Sequence, residues 1–71
     1  MKLERKETRD AIVRLNRQEL VILNNALNEV CNGLDLDEFS IRMGAEIEEV
    51  EALLKEVGSI INTIDATEKN D

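Results

Sequence analysis

Histidine, tryptophan, tyrosine and proline are absent from this chain, and cysteine and phenylalanine occur once each, as Cys31 and Phe39. Without histidine or tyrosine, proton transfer falls to carboxylates and lysines, and no plausible nucleophile pair remains, so an enzyme is not expected. A lone cysteine forms no internal bridge, which fits a reducing, cytoplasmic setting. With no basic neighbour within a turn, Cys31 is better read as an apolar filler than as a reactive thiol. The lack of proline suits helices, and the shortage of rings leaves Leu, Ile, Val, Ala and Met to build the core. No apolar run is long enough to span a bilayer, and residues 1–10 are too charged for a signal peptide. A glycine-rich phosphate loop is also missing. Asp35, Asp37 and Glu46 have the spacing of an EF-hand calcium loop, but Phe39 and Ser40 stand where that loop needs a ligand and a glycine. No metal or cofactor is expected.

What remains is short and unevenly charged. A chain of 71 residues is one domain and buries only about 60 % of its unfolded surface. Domains of this size without a disulfide or metal commonly gain stability by associating, so a homodimer is expected. The net charge is −7, with 9 basic and 16 acidic residues. The basic ones gather at the start, as Lys2, Arg5, Lys6, Arg9, Arg14 and Arg17, and the body that follows is strongly acidic. A basic arm thus precedes an acidic domain.

Residues 1–10 show no apolar periodicity beyond Leu3 and are expected to be a charged, flexible arm. Residues 11–64 are expected to form a single helical domain, and 65–71 a frayed tail. The alternation in Ala11–Leu15 permits a short extended segment or the lead-in to a helix. Asn16 is a strong N-cap, Glu19 completes a capping box and Leu15 is available as a hydrophobic staple. From there Leu20, Leu23, Leu27, Val30 and Leu34 recur at steps of three and four, with Val21, Ile22, Ala26 and Cys31 beside them. Asn32-Gly33 is expected to end this first helix through a left-handed glycine. A short helix is expected over about Asp37–Met43, capped by Asp35 or Asp37 and stopped by Gly44, with Phe39 and Met43 on one face. A third helix carries Ile47, Val50, Leu54, Val57, Ile61 and Ile64, with Leu53 and Ile60 alongside. Gly58 weakens it by about 1 kcal/mol relative to alanine and marks a kink or a close helix contact.

The fold class expected is therefore all-α, a small three-helix domain with a long antiparallel-like pair and a short helix that plugs the end with Phe39. The stretch EFSIRMGAEIEEVEALL, Glu38 to Leu54, resembles the helix-turn-helix family. Ser40 stands where that family has a small residue, Gly44 where it has the turn glycine, and Val50 and Leu53 where it has core aliphatics of the second helix. Met43 and Ala45 flank the glycine acceptably. The resemblance implies a helix-turn-helix-like second and third helix, and DNA binding in those members that read DNA. Here the face that would enter DNA carries Glu46, Glu48, Glu49 and Glu51, which phosphates repel. Over Glu19 to Leu54 the chain also resembles a group of short bacterial proteins, mostly uncharacterised, some of them associated with immunity to toxins. That resemblance brings no functional residues.

Two readings of the acidic face stand side by side: an ordinary solvated helix face with favourable charge at its N-terminus, or a surface for a basic partner. The second gives a non-enzymatic interaction module, most concretely an immunity or antitoxin-like inhibitor, with Glu46, Glu48, Glu49 and Glu51 as partner-binding residues. The alternative is a transcriptional regulator that holds DNA through its basic arm. Against it, Glu4, Glu7 and Asp10 interleave the cations, and no ring is available for base stacking, so nucleic acid is disfavoured as a partner. The apolar surface exceeds what a three-helix monomer needs, which points to Leu20, Leu23, Asn24, Leu27, Asn28, Val57 and Ile61 as interface candidates. Asn24 and Asn28, poor helix formers one turn apart, are either exposed polar surface or hydrogen-bonded across an interface or to the loop after Gly33.

Overall fold

The computed structural model describes residues 1–69, and the elements run β1 (Lys2–Lys6), β2 (Ala11–Arg14), α1 (Arg17–Gly33), α2 (Leu36–Met43) and α3 (Ile47–Lys69). The molecule is a small, mostly helical domain in which α1 packs on α3, preceded by an antiparallel hairpin. The expectation of an all-α chain is therefore corrected at its first fourteen residues. Lys2 pairs with Arg14, Leu3 with Val13, Arg5 with Ile12 and Lys6 with Ala11, with a bulge at Glu4. The expected boundary between residues 10 and 11 falls at the end of the hairpin turn, where the Glu7 N–H donates to the Asp10 carbonyl (2.8 Å). Ala11–Arg14 is the extended alternative, and its partner is the chain's own first strand.

Helix α1 begins as the sequence predicts. The Asn16 side chain accepts from the Glu19 N–H (2.8 Å), and the Glu19 carboxylate accepts from the Asn16 N–H (2.9 Å). Glu19 also takes the Met1 amine, and these two contacts hold its carboxyl below the usual glutamate range. The other end differs from expectation. Gly33 is not left-handed; the helix closes on an extended Leu34, whose N–H reaches the Val30 carbonyl (3.3 Å). Asp35 caps α2 by position, without a side-chain hydrogen bond, and Gly44 ends it at φ 71°, its N–H on the Ser40 carbonyl. Only a residue tolerant of positive φ closes a helix this way at no steric cost.

Leu20, Phe39, Val50 and Val57 form the buried core among the described residues. Leu27, Val30, Cys31, Leu34, Met43, Ile47, Leu54, Ile61 and Ile64 are half-buried around it. Phe39 is the plug, 2 % exposed. The antiparallel sense of the long pair is fixed by its cross-contacts: Arg17 meets Asp65, and Asn24 meets Gly58, in opposite chain order. The Arg17 guanidinium grips the Asp65 carboxylate with two nitrogens (2.7 and 3.1 Å), and α3 continues past the expected end at 64 to Lys69. Residues 70 and 71 of the expected tail lie outside the described residues.

Gly58 makes the close contact its sequence position suggests. A methyl group there would sit 3.6 Å from Asn24 Oδ1, an ordinary van der Waals distance. Gly58→Ala is therefore expected to stabilise the chain by about 0.5–1 kcal/mol through helix propensity, measured as a higher urea midpoint at unchanged slope. A loss of stability would show that Asn24 cannot tolerate the contact. No helix among the described residues is long and apolar enough to cross a membrane.

Candidate functional site

The acidic residues of α3 fall into two rows. At about 100° per residue, Glu48, Glu51 and Lys55 share one side of the helix, while Glu49 and Glu56 lie on another, within a turn of Leu53 and Ile60. All of Glu46, Glu48, Glu49 and Glu51 are exposed. They are not equivalent. The Glu49 carboxylate accepts the Glu46 N–H (3.0 Å), and the Glu46 carbonyl takes the Glu49 and Val50 N–H groups (3.0 and 3.2 Å). This pair closes the first turn of α3, a structural use that Glu48 and Glu51 do not share.

The expected interface residues also divide. Leu20 and Val57 fill the chain's own core, and Leu27 and Ile61 border it half-buried. Asn24 is half-buried against Gly58, whereas Asn28 is exposed and accepts from Asn32 Nδ2 at its carbonyl (2.8 Å) and at Oδ1 (3.2 Å). That bond lies within the last turns of α1, not across a surface. Leu23 remains open, 41 % exposed. Leu53, which the helix-turn-helix resemblance places in the core, is 49 % exposed, and Ile60 is 50 % exposed.

Helical phase shows that these open residues lie together. On α1, Asn24 is turned by about 40° to one side of Leu20 and Leu23 by about 60° to the other. On α3, Leu53 and Ile60 are turned by about 60° from Val50 and Val57, away from the side that holds Gly58. Since Asn24 and Gly58 meet on one side of the antiparallel pair, Leu23, Leu53 and Ile60 lie on the other. Ile22, turned by about 160° from Leu20 and so on the outer side of α1, lines with Leu23, Met1, Leu15 and Glu19 a shallow depression of about 170 Å³.

The hairpin carries a second apolar surface. Residues opposite one another in an antiparallel pair share a face, so Leu3, Val13, Ala11 and Lys6 lie on one side and Lys2, Arg14, Arg5 and Ile12 on the other. The bulge at Glu4 is what lets Leu3 and Lys6 share a side despite their odd spacing. Ion pairs link Arg5 to Glu7 (2.7 Å) and Arg14 to Glu4 (3.0 Å). Neither strand packs on a helix. Sequence reasoning missed Leu3, Val13, Ile22 and Ile60 as surface features, because the hairpin and the sense of helix pairing give them their meaning. No protein-family model, curated protein or solved structure matches this chain.

Proposed function

We propose that the chain is a non-enzymatic, cytoplasmic protein-interaction module whose exposed α3 carboxylates receive a basic protein, in the manner of an immunity protein or antitoxin-like inhibitor. The observation that carries this reading is that Glu48 and Glu51 stand exposed one turn apart with no hydrogen bond or ion pair among the described residues, unlike Glu49. Rows of solvated carboxylates steer a cationic partner and raise its association rate. The α2–Gly44–α3 unit supplies a rigid mount with the link and turn glycine of a helix-turn-helix.

The test is capture of a basic protein at low salt, followed by Glu48→Gln, Glu49→Gln and Glu51→Gln together. Glutamine at 49 still accepts the Glu46 N–H, so the triple change removes charge without unwinding the turn. Affinity is expected to fall at least tenfold; unchanged binding of the same partner would sink the reading. The second reading, a DNA-binding regulator, is favoured by the cationic side of the hairpin, where Lys2, Arg5 and Arg14 gather. It requires instead that duplex DNA be held at low salt and released when Arg5, Lys6 and Arg9 are neutralised.

A further inference from the structure

The accessible surface is 5888 Å², whereas a compact monomer of 8.1 kDa exposes about 4,500 Å². The radius of gyration, 14.3 Å, likewise exceeds the roughly 11 Å of a compact chain this long. The excess, on the order of 1,400 Å², is more than the roughly 800 Å² that each partner buries in a standard stable complex. Apolar side chains left open include Leu3 and Val13 on the hairpin, Leu23 on α1, and Leu53 and Ile60 on α3, while Ile12, Ile22, Leu36 and Ile41 are open elsewhere. A two-stranded hairpin is only marginally stable when nothing covers it, and among the described residues this one is held to its own helices only at its start, where Met1 meets Glu19, neither strand packing on a helix.

We propose that a second copy of the chain covers this surface by exchange of arms: each hairpin lays its Leu3–Val13 side across Leu23, Leu53 and Ile60 of the other copy. Charge selects this occupant. Two chains of net charge −7 repel unless cations of one meet acids of the other. The arm provides them, because Lys6 shares the apolar side near the tip, and Glu49 and Glu56 border Leu53 and Ile60. The reach is sufficient, since a strand of 5 residues spans about 17 Å while Leu53 and Ile60 lie about 10 Å apart along α3. A two-fold axis forms the contact twice, so that each arm and each Leu23–Leu53–Ile60 surface has a partner. The proposal goes beyond the acidic-face reading and is tested apart from it, because Glu48 and Glu51 fall on the opposite flank of α3 and the variants that test it, at Lys6 and Glu56, leave Glu48, Glu49 and Glu51 unchanged.

The experiment mixes isotopically labelled and unlabelled full-length chains. Light scattering is expected to give twice 8.1 kDa, and filtered NOE spectra to connect Leu3 and Val13 methyls of one copy with Leu23 and Ile60 methyls of the other. Lys6→Glu and Glu56→Lys are each expected to weaken the dimer about tenfold, and the double variant to recover it, while helix content by circular dichroism stays constant. A wild-type monomer at millimolar concentration, a dimer without arm-to-helix NOEs, or a double variant no tighter than the singles would overturn the proposal.

Discussion

Phe39→Ala is expected to cost about 3–5 kcal/mol, a large share of what holds the chain folded. The chain's total stability is small: at 0.05–0.15 kcal/mol per residue, a domain of 71 residues holds roughly 4–11 kcal/mol. Phe39 is the one ring in the sequence, it is 2 % exposed, and it is the buried residue of α2. That helix has 8 residues, too few to persist in water without tertiary packing. Removing the ring therefore opens a cavity and also releases the element that carries it. Phe39→Leu, which keeps most of the volume, is expected to cost under about 2 kcal/mol. Ile41→Ala on the same helix, at a site 84 % exposed, is expected to change stability by less than about 0.5 kcal/mol. Urea denaturation of the three variants measures this; a Phe39→Ala midpoint close to wild type would mean that α2 contributes nothing to the cooperative unit.

The helical half of this fold was legible because its signals are local. Asn16 and Glu19 stand at capping-box spacing, Leu20, Val50 and Val57 fall on apolar stripes, and Gly44 follows the last apolar position of a short helix; each appears in the structure where the pattern places it. The hairpin was hidden because its turn, Glu7 to Asp10, contains neither glycine nor proline, and because the bulge at Glu4 breaks the two-residue alternation that marks a strand. The length of α3 was hidden for a different reason: Arg17 and Asp65 are 48 residues apart, and no local pattern announces a contact of that range. Gly33 shows the limit of a composition rule, since a glycine near a helix end permits a left-handed residue without requiring one. For the site, the sequence displays every carboxylate of α3. It does not say that Glu49 is spent on the Glu46 N–H, or that Leu53 and Ile60 share a side with Leu23. Both follow only once the turn is built and the pair is known to be antiparallel.

The same uncovered surface ties folding to association, and this yields the other large effect. Where a dimer unfolds to separated chains, mass action raises the melting temperature with concentration. With about 0.7 kcal/mol of unfolding enthalpy per residue, a pair of these chains gives on the order of 100 kcal/mol near 60 °C, and each tenfold rise in concentration is expected to lift the midpoint by about 5 °C. Between micromolar and hundred-micromolar chain the shift is therefore about 10 °C, well outside the error of a circular dichroism melt. The single chain buries little: Leu20, Phe39, Val50 and Val57 among the described residues, with neither strand of the arm packed on a helix. Val13→Asp places a charge on the arm outside that core, at a side chain 43 % exposed, and is expected to lower the midpoint and flatten its dependence on concentration. A wild-type midpoint that does not move over this range would mean that the helical pair carries the whole stability of the chain, and that the apolar side of the hairpin is left to something other than a second copy.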